Sequence, residues 1–249
     1  KIISVLSQDK SFVVNNNVRY LNEKKLIKDL SNLYYGSDIC LNLLMILNNI
    51  IIAKELFKEN NLSSEQKGEI IMKIWNTFEK DHEVIDEILT ITESLYKDSY
   101  FVYDIINSNF ILKIQQLLQC STVDSNLIYH CITIIDLLMV HKFFISKIGD
   151  RTFFKVVIQN ATKSIFNTKI VDKALSFIYK AILAEKFYIN VLEENNINDL
   201  LKEILNKYMI TCHSNLLFSS IEIIFILINN EDNFNYYTSK ENFALLIKT

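Results

Sequence analysis

Two adjacent pairs, His130-Cys131 and Cys212-His213, carry the side-chain types that bind zinc or activate a nucleophile. Their spacing serves neither chemistry well. Neighbours on a helix point about 100° apart, and Cys131 falls on an apolar stripe, so core packing is the expected role. His82 and His141 lie near expected ends of long helices, where surface or capping histidines are ordinary. Cys40 and Cys120 complete the four cysteines, and no C-x-x-C pair occurs, so neither a disulfide framework nor a zinc module is signalled. H-E-x-x-H, G-x-S-x-G, the phosphate-binding P-loop and the dinucleotide fingerprint are all missing. The sequence therefore nominates no catalytic residue, cofactor or metal ligand, and the expectation is a non-enzymatic protein. Few cysteines suit a reducing compartment, so the expected location is the cytoplasm, with the nucleus as the alternative.

The backbone that must position any functional side chain is constrained by composition. The 249 residues are 50% apolar, contain no proline, and carry glycine at positions 36, 68 and 149 alone. Sandwiches and barrels need many Gly and Pro turns, whereas helices tolerate such a composition. No apolar run reaches the roughly 18 to 20 residues of a membrane span. The longest candidates are interrupted by Asn42, Asn48, Asn49 and Glu222, as expected of buried helices in a soluble chain. The sequence begins at Lys1 and enters an apolar run at once, which reads as a piece of a longer protein.

A period is hidden under low internal similarity. Val18, Leu62, Phe110, Phe153, Ile197 and Phe243 serve as anchors spaced by 43 to 48 residues. Fifteen residues before each anchor stand Ile3, Leu47, Leu95, Leu138, Ile182 and Ile228, all apolar. Offsets of −19 (Leu43, Ile91, Ile134, Ile178, Ile224) and −22 (Cys40, Ile88, Cys131, Leu175, Ile221) complete the stripe. Steps of three and four mark one face of an α-helix, so a long buried helix is expected ahead of each anchor. Apolar residues at −5 and +8 mark a shorter second helix and a third. The expected unit is three helices of unequal length in roughly 45 residues, the period of armadillo or HEAT arrays.

Across essentially its whole length the chain resembles the armadillo-repeat family. The resemblance implies an all-α, right-handed α-solenoid of about five to six three-helix repeats, read as one domain over residues 1–249. In that family a bend between the first two helices usually carries glycine. Here the bends fall near residues 17, 61, 109, 150, 196 and 242, with Asn17, Asn61, Asn109, Asn196, Asn242 and Gly149 in or beside them. Asparagine is the non-glycine residue that best tolerates the left-handed conformation. The tryptophan and asparagine ladder of the family's nuclear-import receptors is not matched: Trp75 is the single tryptophan, and the positions equivalent to Asn48 are Tyr96, Met139, Leu183 and Asn229. Trp75, in register with Ile71, Ile74 and Phe78, is expected to pack in the core.

The resemblance also implies a concave groove on the face of the long helices opposite the buried stripe. At 100° per residue that face carries Asn42, Asn49, Asp86, Thr90, Glu93, Lys97, Tyr129, Thr133, Asp136, Lys173, Phe177 and Lys180, with Asp38 beside them. The expected function is a scaffold or adaptor holding a protein or peptide segment there, with Tyr129 and Phe177 as anchors. Charge is unevenly spread. Residues 79–104 hold eight carboxylates and two lysines, while residues 142–190 hold nine Lys or Arg and three carboxylates. A nucleic-acid or anionic-membrane contact through that basic stretch is one alternative, nucleic acid being disfavoured by a net charge of −3. A targeting module of a larger enzyme is another.

Overall fold

The computed structural model describes residues 36–56, 67–120, 123–147, 151–211, 213–229, 231–239 and 242. The expected bends near 17, 61 and 150 lie outside these residues. Among the described residues the chain is all-helical: α1 Ser37–Leu56, α2 Lys67–Thr77, α3 His82–Leu95, α4 Ser99–Asn107, α5 Phe110–Gln119, α6 Ser125–Leu138, α7 Lys142–Ile145, α8 Arg151–Lys163, α9 Thr168–Ala184, α10 Phe187–Glu194, α11 Ile197–Thr211, α12 Ser214–Leu227 and α13 Glu231–Thr238. The chain divides into two compact units, residues 1–116 and 117–249.

The long helices α3, α6 and α9 start where short polar side chains take over orphan backbone donors, whereas α12 starts at His213 without a side-chain cap. Asp81 accepts from the Val84 N–H at 3.3 Å, Asp124 from Asn126 and Leu127 at 2.7 and 3.0 Å, and Asn167 from Lys169 and Ile170 at 3.2 and 3.4 Å. These three caps recur every 43 residues, and each contributes about 1 kcal/mol to its helix start. The sequence reading missed them, although a cap residue repeated at the anchor period is a visible signal.

In α3, α6 and α9 the expected stripe is buried, whereas Leu43 in α1 and Ile221 and Ile228 in and just after α12 are only half-buried. Leu95, Leu138 and Ile182 at −15, Ile91, Ile134 and Ile178 at −19, and Ile88, Cys131 and Leu175 at −22 all lie in the core. The anchors Phe110 and Ile197 are buried first residues of α5 and α11, and Phe153 is buried in α8.

In the first unit α1 packs along α3, and α2 packs against both α3 and α4. Gly68 allows the last of these approaches, since a Cβ there would meet the Asp104 Cβ at 2.6 Å. Trp75 is buried and meets Phe110 edge-on at 5.1 Å, a core role. The Ser94 hydroxyl donates to Asn48 Oδ1 at 3.1 Å across 46 residues.

In the second unit α9 lies between α6 and α12, while α8 packs against α9, α10 and α11. Side-chain hydrogen bonds link the successive layers at nearly constant chain separation. Tyr188 Oη donates to the Ile145 carbonyl at 2.8 Å across 43 residues. Tyr208 Oη donates to the Ile165 carbonyl, also across 43. Asn160 Nδ2 donates to the Leu118 carbonyl at 2.7 Å across 42, and Tyr237 Oη to Asn198 Oδ1 at 2.9 Å across 39. The first three of these bonds join an element to its counterpart one period away, and the last joins α13 to α11.

The bends are not built alike. Asn196, between α10 and α11, takes φ 60°, and among the described residues it is the one non-glycine position with positive φ. Asn109 and Asn242 do not share that conformation, which corrects the expectation for them. At the 109 bend Ser108 is extended at φ −85°, ψ −179°. Its hydroxyl donates to the Ile105 carbonyl at 2.8 Å and accepts from the Phe110 N–H at 3.2 Å. A side-chain bond there replaces a left-handed residue.

Candidate protein-binding surface

The expected groove residues separate into those that face solvent and those that hold the helices together. In the first unit, α3 presents Asp86, Thr90 and Glu93 half-buried on one side, one and two turns apart, with Lys97 exposed just beyond its end. Thr90 Oγ1 donates to the Asp86 carbonyl at 2.9 Å, so its polar capacity is spent along its own helix. The Lys97 ammonium lies 5.4 Å from the centre of the Tyr96 ring. On α1, Asn42 is half-buried and donates to the Asp38 carbonyl at 2.6 Å; the Asn49 side chain lies outside the described residues. The acidic tract thus reaches the surface as part of a helix face.

The second unit overturns part of the expectation. Phe177 is fully buried, with its ring 5.3 Å from Phe154 and 6.3 Å from Phe153. It cannot anchor a partner. Thr133 is buried with its hydroxyl unpaired, and Asp136 is buried at 2% exposure. Phe177 is buried because α8 lays Phe153 and Phe154 against it, and Asp136 because α9 covers it with Ser176 and Lys180. The estimate of an opposite face assumed a helix packed on one side.

Asp136 belongs instead to a contact between layers. Its Oδ1 accepts from Lys180 Nζ at 2.7 Å and from the Ser176 hydroxyl at 2.8 Å. Lys180 also donates to the Asp136 backbone carbonyl at 3.1 Å, and Lys173 Nζ lies 4.0 Å from Oδ2. A buried carboxylate needs such partners, because an unpaired one would be neutralised or would unfold its surroundings. Three predicted groove residues, Asp136, Lys173 and Lys180, are therefore brought together, but to join α6 to α9. Tyr129 remains half-buried with its ring 5.4 Å from His130.

The residues considered first for chemistry are dispersed. Cys40 and Cys131 are buried and Cys120 is exposed, and burial followed by the nearby Asp81 charge pushes the Cys40 thiol up to about 11. A thiol so held is a poor nucleophile. His213 packs its ring edge-on against Tyr208 at 5.3 Å; Cys212 lies outside the described residues. Among the described residues no group of three or more His, Cys, Asp or Glu side chains could hold a metal ion, and no helix is long and apolar enough to cross a membrane. Residues missed by the sequence reading are the exposed apolar ones, including Val140, Phe143, Leu183 and Phe187. Their signal was apolar identity off the stripe, which in a half-apolar chain is hard to separate from background.

No protein-family model matches the chain, and no curated protein matches it. A crystal structure of an engineered protein is similar in fold, with a TM-score of 0.66 over 92% of this chain and 88% of that one, at 14% sequence identity. At that identity the likeness shows a shared fold and nothing of function.

Proposed function

We propose that this chain is a non-enzymatic, armadillo-like α-solenoid scaffold that binds a basic protein segment along α3. The single observation carrying the surface is the α3 face, where Asp86 and Glu93 stay half-exposed while Asp136, the counterpart of Glu93, is turned inward. The solenoid reading is supported by the layer-to-layer hydrogen bonds across 43 residues and by the packing of α9 between its counterparts α6 and α12 in the second unit. A right-handed superhelix of such units offers long helices as a binding surface. Glu83 and Glu87 add negative charge on the same helix, so an extended segment rich in Lys and Arg is the complementary partner.

A peptide array of Lys/Arg-rich and matched acidic segments, probed with the full chain, tests this. The basic set is expected to bind, and Asp86→Lys with Glu93→Lys to weaken that binding at least about tenfold. Equal binding of acidic and basic segments, or binding indifferent to both reversals, removes α3 as the site. Asp136 is unsuitable for such a test because its carboxylate supports packing.

A further inference from the structure

Four apolar side chains in the second unit stand out from the turns that end α6 and α9: Val140 is 64% exposed, Phe143 42%, Leu183 63% and Phe187 53%. They form one edge, because the two turns are tied together on both sides. Lys180 in α9 reaches the Asp136 carbonyl in α6 at 3.1 Å, and Tyr188, next to Phe187, reaches the Ile145 carbonyl at 2.8 Å. Lys142, Lys147 and Lys186 are exposed in the same turns, against one carboxylate, Glu185. The Lys147 ammonium lies 5.2 Å from the centre of the Phe143 ring, so cation and apolar surface are presented side by side.

We propose that this edge docks the chain on an anionic lipid surface, with Val140, Phe143, Leu183 and Phe187 entering the headgroup and acyl boundary and the three lysines held by lipid phosphate and carboxylate groups. Apolar tips with cations alongside are what interfacial binding requires. Single-stranded nucleic acid suits the edge less well, since Val140 and Leu183 offer no ring for a base to stack on. A protein partner would gain most from a recess into which its own anchors fit, whereas these side chains project.

The test is sedimentation of the full chain with vesicles of phosphatidylcholine alone and of phosphatidylcholine with phosphatidylserine. Binding to the anionic vesicles alone is expected. Phe143→Ser with Phe187→Ser should lower it about tenfold or more, while Phe143→Leu with Phe187→Leu should keep it. Each of Lys142→Gln, Lys147→Gln and Lys186→Gln should cost about fivefold. All five substituted positions are exposed, and circular dichroism checks that each variant keeps its helices. No partition into anionic vesicles, equal partition into neutral ones, or loss of binding in the leucine variant overturns the proposal. So does a single-stranded oligonucleotide that binds and is released by the serine variant while vesicles stay unbound.

Discussion

The Tyr188 hydroxyl donates to the carbonyl oxygen of Ile145, 43 residues earlier, at 2.8 Å. The ring that carries it is buried against Phe154 at 5.0 Å, so the bond fixes the register of α10 on the last residue of α7. Tyr208 does the same for Ile165. Tyr188→Phe and Tyr208→Phe each leave a carbonyl without its donor and are expected to cost about 1 to 2 kcal/mol. Urea unfolding of each variant measures this, and a double variant should be close to additive if the two bonds act on separate layers.

Lys180 and Asp136 make a pair in which only the carboxylate is deeply buried, with side-chain exposures of 35% and 3%. Lys180→Met should therefore cost about 2 kcal/mol, below the full penalty for a broken buried pair, because Lys173 and Ser176 remain near the carboxylate and water reaches the site. Converting both partners, Asp136→Leu with Lys180→Met, should recover most of the loss in the same urea measurement. A double variant as unstable as the single one would show that the pair is not what joins α6 to α9.

Asn196 at φ 60° is expected to discriminate sharply among substitutions. Valine, branched at Cβ, should cost about 1 to 2 kcal/mol in thermal unfolding, whereas glycine should be neutral within a few tenths. At Asn109, where φ is not positive, valine should cost less than at Asn196.

Alkaline stability has a direction set by four buried groups. Cys40 is raised to about 11 from its ordinary 9 by burial and then by the Asp81 charge. Tyr188, Tyr208 and Tyr237 are raised above 10, burial being the largest cause in each. Raised acids favour the neutral form in the folded chain. Their contribution is complete below the unfolded values, near 9 for the thiol and 10 for the phenols, and is lost as pH climbs towards the folded values. The midpoint of urea unfolding should fall steadily from pH 9 to 11. In native protein at pH 8.5, alkylation read by mass spectrometry should modify the exposed Cys120 well before the buried Cys40.

What the sequence disclosed was the part of the fold that repeats. Leu95, Leu138 and Ile182 were placed in the core by spacing alone, and all three are buried, because an apolar stripe at steps of three and four fits no other regular element. The anchors Phe110 and Ile197 were legible for the same reason. Faces set by third parties were not legible. Phe177 lay opposite the stripe on a helical wheel, yet Phe153 and Phe154 of α8 pack against it, and nothing in the residues of α9 announces that neighbour. The 109 bend was misread because serine can turn a chain through its hydroxyl without entering the left-handed region. Of the candidate surface, Asp86, Glu93 and Lys97 kept access to solvent, while Asp136 exchanged that access for the ammonium of Lys180.

The caps at Asp81, Asp124 and Asn167 have a consequence for how such a chain can change over time. The periods of α3, α6 and α9 share a short polar residue at a helix start and a few apolar positions behind it. Nearly every other residue is at liberty to drift, and drift in one period disturbs its immediate neighbours rather than the whole. Substitutions can therefore accumulate in one period while the shape of the next persists.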